Sequence, residues 1–211
     1  MSCIRVAIST SLTIILLSVS TVFAGDSPSD IKQRIGAGNP EAGKEKSAMC
    51  QGCHGEDGNS ASPDFPKLSG QYAAYIIKQI KDFQSGARKD PVMSDMAATV
   101  TENQDLLDIA AYFASQKQMK GEKPEVNAWA KIRFTDDNGC ATCHGKNGKG
   151  LAPNNPIAPV IGGQHKKYLV KQLKDFKSHT RTNESSGMME SFAGILSPAE
   201  IYKIAGYISG L

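Results

Sequence analysis

The feature that most constrains this chain is a five-residue pattern, Cys-x-x-Cys-His, which occurs at residues 50–54 and again at residues 140–144. The two copies use four of the five cysteines in the chain. This pattern is typical of covalent attachment of c-type haem, because the two thiols reach the two vinyl groups and the adjacent histidine lies under the iron. The sequence therefore predicts two haem c groups, held by Cys50, Cys53, His54, Cys140, Cys143 and His144.

Other uses of paired cysteines fit this spacing less well. Structural zinc sites commonly separate their two cysteine pairs by roughly 12 to 20 residues, whereas 86 residues lie between Cys53 and Cys140. Disulfides are common in exported proteins, and thioredoxin-like motifs also contain Cys-x-x-Cys. Neither of these uses needs the histidine that follows each pair, and a thioredoxin-like motif needs no second copy.

Residues 1–24, which include Cys3, are typical of a secretory signal peptide. Arg5 precedes an apolar run, and the segment ends in small residues at Ala24, as a cleavage site requires. A membrane anchor is the alternative, but seven Ser and Thr residues interrupt residues 6–23, and a spanning helix needs about 20 mostly apolar residues. We therefore expect export to the periplasm and a mature chain that begins at Gly25.

The rest of the sequence repeats itself. Residues 78–83, Lys-Gln-Ile-Lys-Asp-Phe, match residues 171–176, Lys-Gln-Leu-Lys-Asp-Phe, at an offset of 93 positions. The haem motifs are offset by 90 positions, and similar segments near the end of each repeat are offset by 95. These offsets indicate a tandem duplication with small insertions. They predict a first domain at residues 25–120, a linker at residues 121–127 and a second domain at residues 128–211.

Each repeat has the pattern of three main helices. In the first repeat, one helix is expected at about residues 40–51, where it ends at the haem motif, and another at about residues 71–84, where apolar side chains recur at helical spacing. The third is expected from Thr101 to about Ser115, and its counterpart begins at Ser197, because both starts resemble a capping box.

Loops are expected to follow each haem motif, since residues 55–70 and 145–163 are rich in Gly, Pro, Ser and Asn. These loops would wrap the edge of each haem. The predicted fold is therefore all-α, with two tandem cytochrome c-like domains, each built from about three main helices and haem-wrapping loops.

Methionine is the expected sixth ligand of each iron, because a thioether closes the site and raises the reduction potential. Each repeat offers two candidates in a loop before its third helix: Met93 and Met96 in the first, Met188 and Met189 in the second. Met93 precedes Val100 by seven positions, and Met189 precedes the equivalent Leu196 by the same seven. We therefore assign Met93 and Met189, with Met96 and Met188 as alternatives and simple packing against the haem as another.

Four other residues are candidates for a place in the haem sites. His165 and His179 both lie in the second repeat, so an equivalent ligand is missing from the first, and we expect both at the surface. Arg88 and Arg181 lie just before the two methionine segments. Each arginine either pairs with a haem propionate through its guanidinium group or stays in a solvated loop.

Together these features resemble the dihaem cytochromes c4 over essentially the whole chain after residue 24. The segments that carry the resemblance are residues 50–55, 57–60, 65–71, 78–83, 110–117, 162–165, 171–176 and 181–183. The resemblance implies two class I cytochrome c domains related by a pseudo-twofold axis, with their haems near the shared interface. It also implies ligation of both irons by histidine and methionine. Residues 157–160 depart from the family pattern, which affects packing around the second haem.

The function expected from this resemblance is transport of single electrons rather than catalysis. The family implies a quinol-oxidising complex as donor, a terminal oxidase as acceptor, and peripheral association with the membrane. We expect no nucleic acid and no small-molecule substrate. One alternative is an electron-accepting cytochrome subunit of a larger dehydrogenase, for example a sulfide-oxidising flavocytochrome. A dihaem peroxidase has less support, since it needs an open iron position.

Charge is divided unevenly along the chain. Residues 25–123 contain 12 basic and 14 acidic residues, for a net charge of −2, while residues 124–211 contain 11 basic and 7 acidic residues, for a net charge of +4. Such a charge dipole can orient a partner during encounter. The alternative is two solvated surfaces that differ in charge without consequence for binding.

Overall fold

The structure is a computed structural model that describes residue 32 and residues 34–121, 125–151, 158–184 and 186–211. The predicted signal peptide, part of the predicted linker and Ile157 lie outside these residues. In this part of the chain, ten helices have defined bounds and no strand occurs: α1 (Pro40–Lys46), α2 (Ala48–His54), α3 (Ala73–Ser85), α4 (Pro91–Ala98), α5 (Asn103–Ser115), α6 (Ala128–Thr135), α7 (Ala141–His144), α8 (Lys166–Lys177), α9 (Met188–Gly194) and α10 (Pro198–Ser209).

The predicted all-α fold is confirmed, and the order of helices repeats in the two halves of the chain. We call residues up to 121 the N-terminal half and residues from 125 the C-terminal half. Helices α3, α4 and α5 of the first correspond to α8, α9 and α10 of the second. None of the helices with described residues combines the length and apolar character that a membrane span requires.

Two predicted segments have a different local structure. The helix expected at residues 40–51 is two helices, α1 and α2, which meet at the buried Ser47. The methionine segments, expected to be loops, form the short helices α4 and α9. Helix α4 is stabilised at its start because the Asp90 carboxylate accepts a hydrogen bond of 3.2 Å from the Met93 N–H.

The predicted capping boxes are present in one half and absent from the other. At the start of α10, Ser197 Oγ accepts from the Glu200 N–H at 3.3 Å, and the Glu200 carboxylate accepts from the Ser197 N–H at 2.7 Å. At the start of α5 the N-cap is Glu102, whose side chain makes no capping bond. The prediction that Thr101 begins this helix with a capping box was therefore wrong.

The core of the N-terminal half lies where α3, α4 and α5 meet. Helix α5 contributes the largest share of buried residues, including Phe113, which is almost fully enclosed. Helix α1 crosses α5 with the two backbones in direct contact, since a Cβ added at Gly43 would lie 1.9 Å from the Asp108 carbonyl oxygen. This close crossing holds the haem motif of α2 against the core.

The core of the C-terminal half is built in the same way around α10. The buried faces of α6, α8 and α10 pack together, and Phe134 of α6 lies with its ring centroid 5.5 Å from that of Tyr207 in α10. Cys140 packs against this cluster, as Cys50 packs against the cluster of the N-terminal half. Both haem motifs therefore begin at the edge of an apolar core.

Candidate haem sites

The first candidate iron ligand is His54, the last residue of α2. Its ring is buried, with 5% of the residue exposed, and its Nδ1 lies 2.8 Å from the carbonyl oxygen of Pro66. Since a carbonyl can only accept, Nδ1 carries the hydrogen and Nε2 keeps its lone pair for a metal. Burial lowers the pKa of His54, although the bond to Pro66 acts in the opposite direction. The imidazole is thus held neutral and in one tautomer.

The second candidate, His144, repeats this arrangement at the end of α7. The residue is 7% exposed, and Nδ1 donates to the carbonyl oxygen of Pro159 at 2.8 Å. Burial again lowers the pKa of His144. A hydrogen-bond acceptor at the nitrogen that does not bind the metal fixes the orientation of a metal-binding imidazole and raises its basicity. The two halves of the chain therefore present equivalent candidates for the proximal ligand.

The four cysteines of the motifs form no disulfide in the structure. Cys50 and Cys53 lie one helical turn apart on α2, so their side chains project on the same side. Cys53 is exposed, and the other three thiols are partly buried. Burial raises the pKa of Cys50 and of Cys140. Two cysteine side chains beside a buried imidazole are the donor set that covalent haem attachment requires.

The loop that follows each haem motif is closed by a glycine carbonyl. In the N-terminal half, Gly58 O accepts from the N–H groups of Leu68 and Ser69 at 2.7 and 3.1 Å. In the C-terminal half, Gly148 O accepts from Ile161 and Gly162, both at 2.8 Å. Gly58 has a φ of +79°, and a Cβ there would lie 2.8 Å from the Ser69 nitrogen, so the turn requires glycine. These turns bring Pro66 and Pro159 back to the two histidines.

The candidate methionines differ in burial. Met93 is partly buried and packs against the same cluster as Cys50, and Met96 is also partly buried, about one turn later on α4. In the C-terminal half, Met188 is 45% exposed, whereas Met189 is partly buried. The lower exposure of Met189 favours it over Met188 as an iron ligand. Burial does not distinguish Met93 from Met96. The assignment of Met93 and Met189 as iron ligands stays a prediction.

Arg88 and Arg181 are not solvated loop residues, because both are buried where the two halves meet. Arg88 donates to Gln79 Oε1 at 2.6 Å and to Gln172 Oε1 at 2.8 Å. Arg181 donates to the same two oxygens, at 3.2 and 2.7 Å respectively. Each arginine also donates to a tyrosine hydroxyl of the other half, Tyr168 or Tyr75, at 3.1 Å. Two cations thus share neutral acceptors, an arrangement in which an anionic propionate would be bound favourably.

His165 differs from the prediction that it is a surface residue. It is 7% exposed, and its Nε2–H donates to the Ser60 carbonyl oxygen of the other half at 2.9 Å. The physical reason is that α8 begins at the interface between the halves, so the N-cap position of His165 faces the loop after the first haem motif. His179 is exposed, as expected.

Four glutamines that the sequence interpretation did not single out lie at the centre of the interface: Gln71, Gln79, Gln164 and Gln172. All four are buried and hydrogen-bonded to residues of the other half. The internal repeat could have revealed them, since Gln71 and Gln79 recur 93 positions later as Gln164 and Gln172. Hydropathy does not find such residues, because it treats glutamine as a surface side chain.

Comparison with known proteins agrees with this geometry. A sequence profile of the family described as cytochrome c matches residues 40–117 and again residues 133–211. Cytochrome c4 of Pseudomonas aeruginosa is 42% identical over 183 residues, covering 83% of this chain and 90% of the relative. The chain belongs to the cytochrome c4 family. The resemblance inferred from the motifs is thereby confirmed.

Two further comparisons bear on function. The crystal structure of reduced recombinant cytochrome c4 from Pseudomonas stutzeri has a TM-score of 0.75 and 39% sequence identity, with 83% of this chain and 100% of that chain covered. A protein of Stutzerimonas stutzeri strain A1501 named thiosulfate dehydrogenase electron acceptor is 31% identical over 186 residues, covering 81% of this chain and 83% of that relative.

As a member of this family, the protein is a dihaem electron-transfer cytochrome with two covalently bound haem c groups, and it is not an enzyme. The donor atoms described above fit this cofactor, since each half provides two thiols and an imidazole whose Nε2 is free to bind iron. When bound, each haem supplies an iron that takes up and releases one electron. The cysteines of each half would attach the haem, and the proline carbonyls orient the imidazoles.

Proposed function

We propose that this cytochrome is a periplasmic carrier that takes single electrons from a quinol-oxidising complex and passes them to a terminal oxidase. The observation that carries the proposal is the matched pair of histidines, His54 and His144, each buried, neutral and bonded through Nδ1 to a proline carbonyl. Two sites of the same design suit the repeated exchange of one electron, whereas a dihaem peroxidase needs one iron with an open position.

The proposal includes the ligands that close the two sites. His54 with Met93 would ligate the first iron, and His144 with Met189 the second. Packing of Met93 against the same cluster as Cys50, and the lower exposure of Met189 relative to Met188, support this pairing. Ligation on both sides leaves no open position for peroxide, which argues against a dihaem peroxidase.

The proposal also includes the division of the chain and its location. We place the first domain at residues 25–120, the linker at 121–127 and the second domain at 128–211, and the two segments matched by the family profile fall within these domains. Export to the periplasm rests on the signal-peptide pattern at residues 1–24. Attachment of haem c to a chain with these two motifs is compatible with that compartment.

A second candidate function is that of an electron acceptor for a dehydrogenase. It is favoured by the likeness to a relative named thiosulfate dehydrogenase electron acceptor. In this case the electron donor would be a sulfur-oxidising enzyme rather than a quinol-oxidising complex, while the haem sites would work in the same way.

The test is to mix the purified holoprotein with each donor and follow haem reduction by stopped-flow spectroscopy. We expect rapid reduction by a quinol-oxidising complex with quinol, and rapid reoxidation by membranes that contain a terminal oxidase. A matched reaction uses thiosulfate dehydrogenase with thiosulfate. Faster reduction by thiosulfate dehydrogenase than by the quinol-oxidising complex would favour the second candidate function over the first. Turnover of peroxide by the holoprotein alone would overturn both.

A further inference from the structure

The carbonyl groups that orient the two histidines belong to peptide units at the interface between the halves. The Pro66 carbonyl, which accepts from His54, and the Lys67 N–H are parts of one peptide unit. A peptide unit is planar, so a hydrogen bond at either end fixes the direction of the other. The Pro159 carbonyl and the Val160 N–H form the equivalent unit at His144.

Each of these peptide units is bound from the other half of the chain by a buried glutamine. Gln164 Oε1 accepts from the Lys67 N–H at 2.9 Å, and Gln164 Nε2 donates to the Lys67 carbonyl at 2.9 Å. In the opposite direction, Gln71 Oε1 accepts from the Val160 N–H and its Nε2 donates to the Val160 carbonyl, both at 2.9 Å. The four bonds form two equivalent pairs, as an approximate twofold axis requires.

The orientation of both side-chain amides follows from their partners. The oxygen of Gln164 faces a second N–H, that of His165, at 3.0 Å, and the oxygen of Gln71 faces the Tyr72 N–H at 3.1 Å. Each nitrogen faces a carbonyl oxygen. A rotated amide would place donors against donors, so only one orientation satisfies every group.

We propose that Gln164 is a positioning residue for His54, and that Gln71 is a positioning residue for His144. Each glutamine therefore acts on the haem of the other half. The proposal rests on ligation of the irons by these two histidines, which is part of the proposed function.

The physical effect is transmitted through the peptide unit. When a glutamine oxygen accepts the N–H, the peptide is polarised and its carbonyl becomes a stronger acceptor for the imidazole Nδ1–H. A stronger bond at Nδ1 makes the imidazole a better electron donor to iron. This stabilises ferric iron and lowers the reduction potential. Loss of the glutamine amide should therefore raise the potential of the haem in the opposite half.

The test uses the haem-loaded full chain with Gln164→Met or Gln71→Met, which keep the length of the side chain and remove the amide. Gln118→Met is the matched control, because Gln118 also crosses the interface, donating to the Lys149 carbonyl at 3.4 Å, but does not touch either peptide unit. Each variant is titrated electrochemically while proton NMR follows the haem methyl signals, assigned to each half through their contacts with its side chains.

We expect Gln164→Met to raise the potential of the haem at residues 50–54 and leave the other unchanged, and Gln71→Met to do the reverse. The equilibrium constant for reduction should change by up to about tenfold, which corresponds to about 59 mV for a one-electron couple. The Nδ1–H of the affected histidine should also exchange faster with solvent. The control should leave both potentials unchanged.

Two outcomes would overturn the proposal: shifts confined to the half that carries the substitution, or shifts no larger than those of Gln118→Met. If the methionine variants lose their folded structure, Gln164→Asn and Gln71→Asn retract the amide by one methylene and carry the same expectation. In the unaltered protein, the Lys67 and Val160 N–H groups should exchange slowly with solvent, because each donates to a glutamine oxygen. Rapid exchange of either group would also overturn the proposal. Loss of histidine ligation at both irons would instead refute the proposed function.

Discussion

Asp108 on α5 shows how one buried side chain can join three parts of a fold. The residue is 2% exposed, and its carboxylate accepts from the Asn39 N–H at 2.8 Å, from Gln104 at 2.8 Å and from the Lys46 ammonium at 2.5 Å. The bond from the Asn39 N–H, followed by that from Lys46, lowers the pKa of Asp108 to about 2. The carboxylate thus fixes the start of α1 and its last turn against α5.

This arrangement predicts a pH-dependent loss of stability. The folded-state pKa of about 2 lies below the reference value of 3.8, so ionised Asp108 stabilises the fold above pH 3.8, and this contribution is lost as the pH falls towards 2. We expect the difference in the free energy of unfolding between the natural protein and Asp108→Asn to shrink across this interval. Urea denaturation at successive pH values measures it, and an equal difference at both ends of the interval would contradict the prediction.

The proposed methionine ligands lead to a second prediction. Met93→Ala and Met189→Ala should each remove about half of the weak far-red absorption band of the oxidised protein that reports thioether ligation, because one of two equivalent irons loses its ligand. The potential of that haem should fall. Met96→Ala and Met188→Ala are the matched controls and should keep the full band. Loss of half the band in either control, with no loss in its neighbour, would reassign the ligand.

Among elements, the crossing of α1 and α5 brings the backbones of two helices into direct contact. A Cβ at Gly43 would lie 1.9 Å from the Asp108 carbonyl oxygen and 2.9 Å from the Tyr112 Cβ. Both are parts of a rigid helix and cannot rotate away. Any side chain at this position therefore forces the two helices apart.

We expect Gly43→Ala to lower the free energy of unfolding by about 1–3 kcal/mol, the usual cost of overpacking. Gly194→Ala is the matched control, since Gly194 is also helical and a Cβ added there would meet no atom within 4 Å beyond its chain neighbours and the backbone of its own helix. The control should be as stable as the natural protein or slightly more stable, because alanine favours the helix. Chemical denaturation compares the two. Equal stability of both variants would show that α1 shifts freely.

The longer helices could be predicted from the sequence, and the shorter ones could not. Helices α3 and α10 have several turns, so their apolar spacing and, for α10, the Ser197 capping box identify them. Helices α4 and α9 have only 8 and 7 residues, too few for periodicity to distinguish a helix from a loop. The break at Ser47 was also missed, because no Gly or Pro lies beside it in the sequence.

At the scale of the whole molecule, the sequence predicted the candidate proximal ligands of the irons but not the contacts that form the interface. The Cys-x-x-Cys-His motif names His54 and His144 directly, since its spacing is set by the haem itself. The interface depends on Gln71 and Gln164, whose partners are backbone groups 89 and 97 positions away. No local sequence pattern encodes such a distant pairing, so only the three-dimensional structure shows it.

The uneven charge of the two halves predicts a different response to salt. Lys174 is exposed on α8 of the positive half, and Lys81 is exposed on α3 of the negative half. With an acidic redox partner at low ionic strength, Lys174→Glu should slow electron transfer by about twofold to tenfold, because attraction to that half guides encounter. Lys81→Glu, the matched control, should have a smaller effect.

Stopped-flow measurements over a range of ionic strength provide the check. The rates of the natural protein and of Lys174→Glu should converge at high salt, where exposed charges are screened within a few ångströms. Similar salt dependence with acidic and with basic partners would mean that the charge division does not direct docking.

The reciprocal glutamine hydrogen bonds between the halves also have a consequence for the order in which the protein is completed. Lys67 and Gln164 are 97 positions apart, so a chain that is made or exported from its N-terminus presents the first well before the second. During this interval the peptide unit that orients His54 lacks its partner. The N-terminal half therefore gains the hydrogen bonds of Gln164 only after the C-terminal half is present. The haem motif that is made first is thus the later of the two to have its histidine held in place.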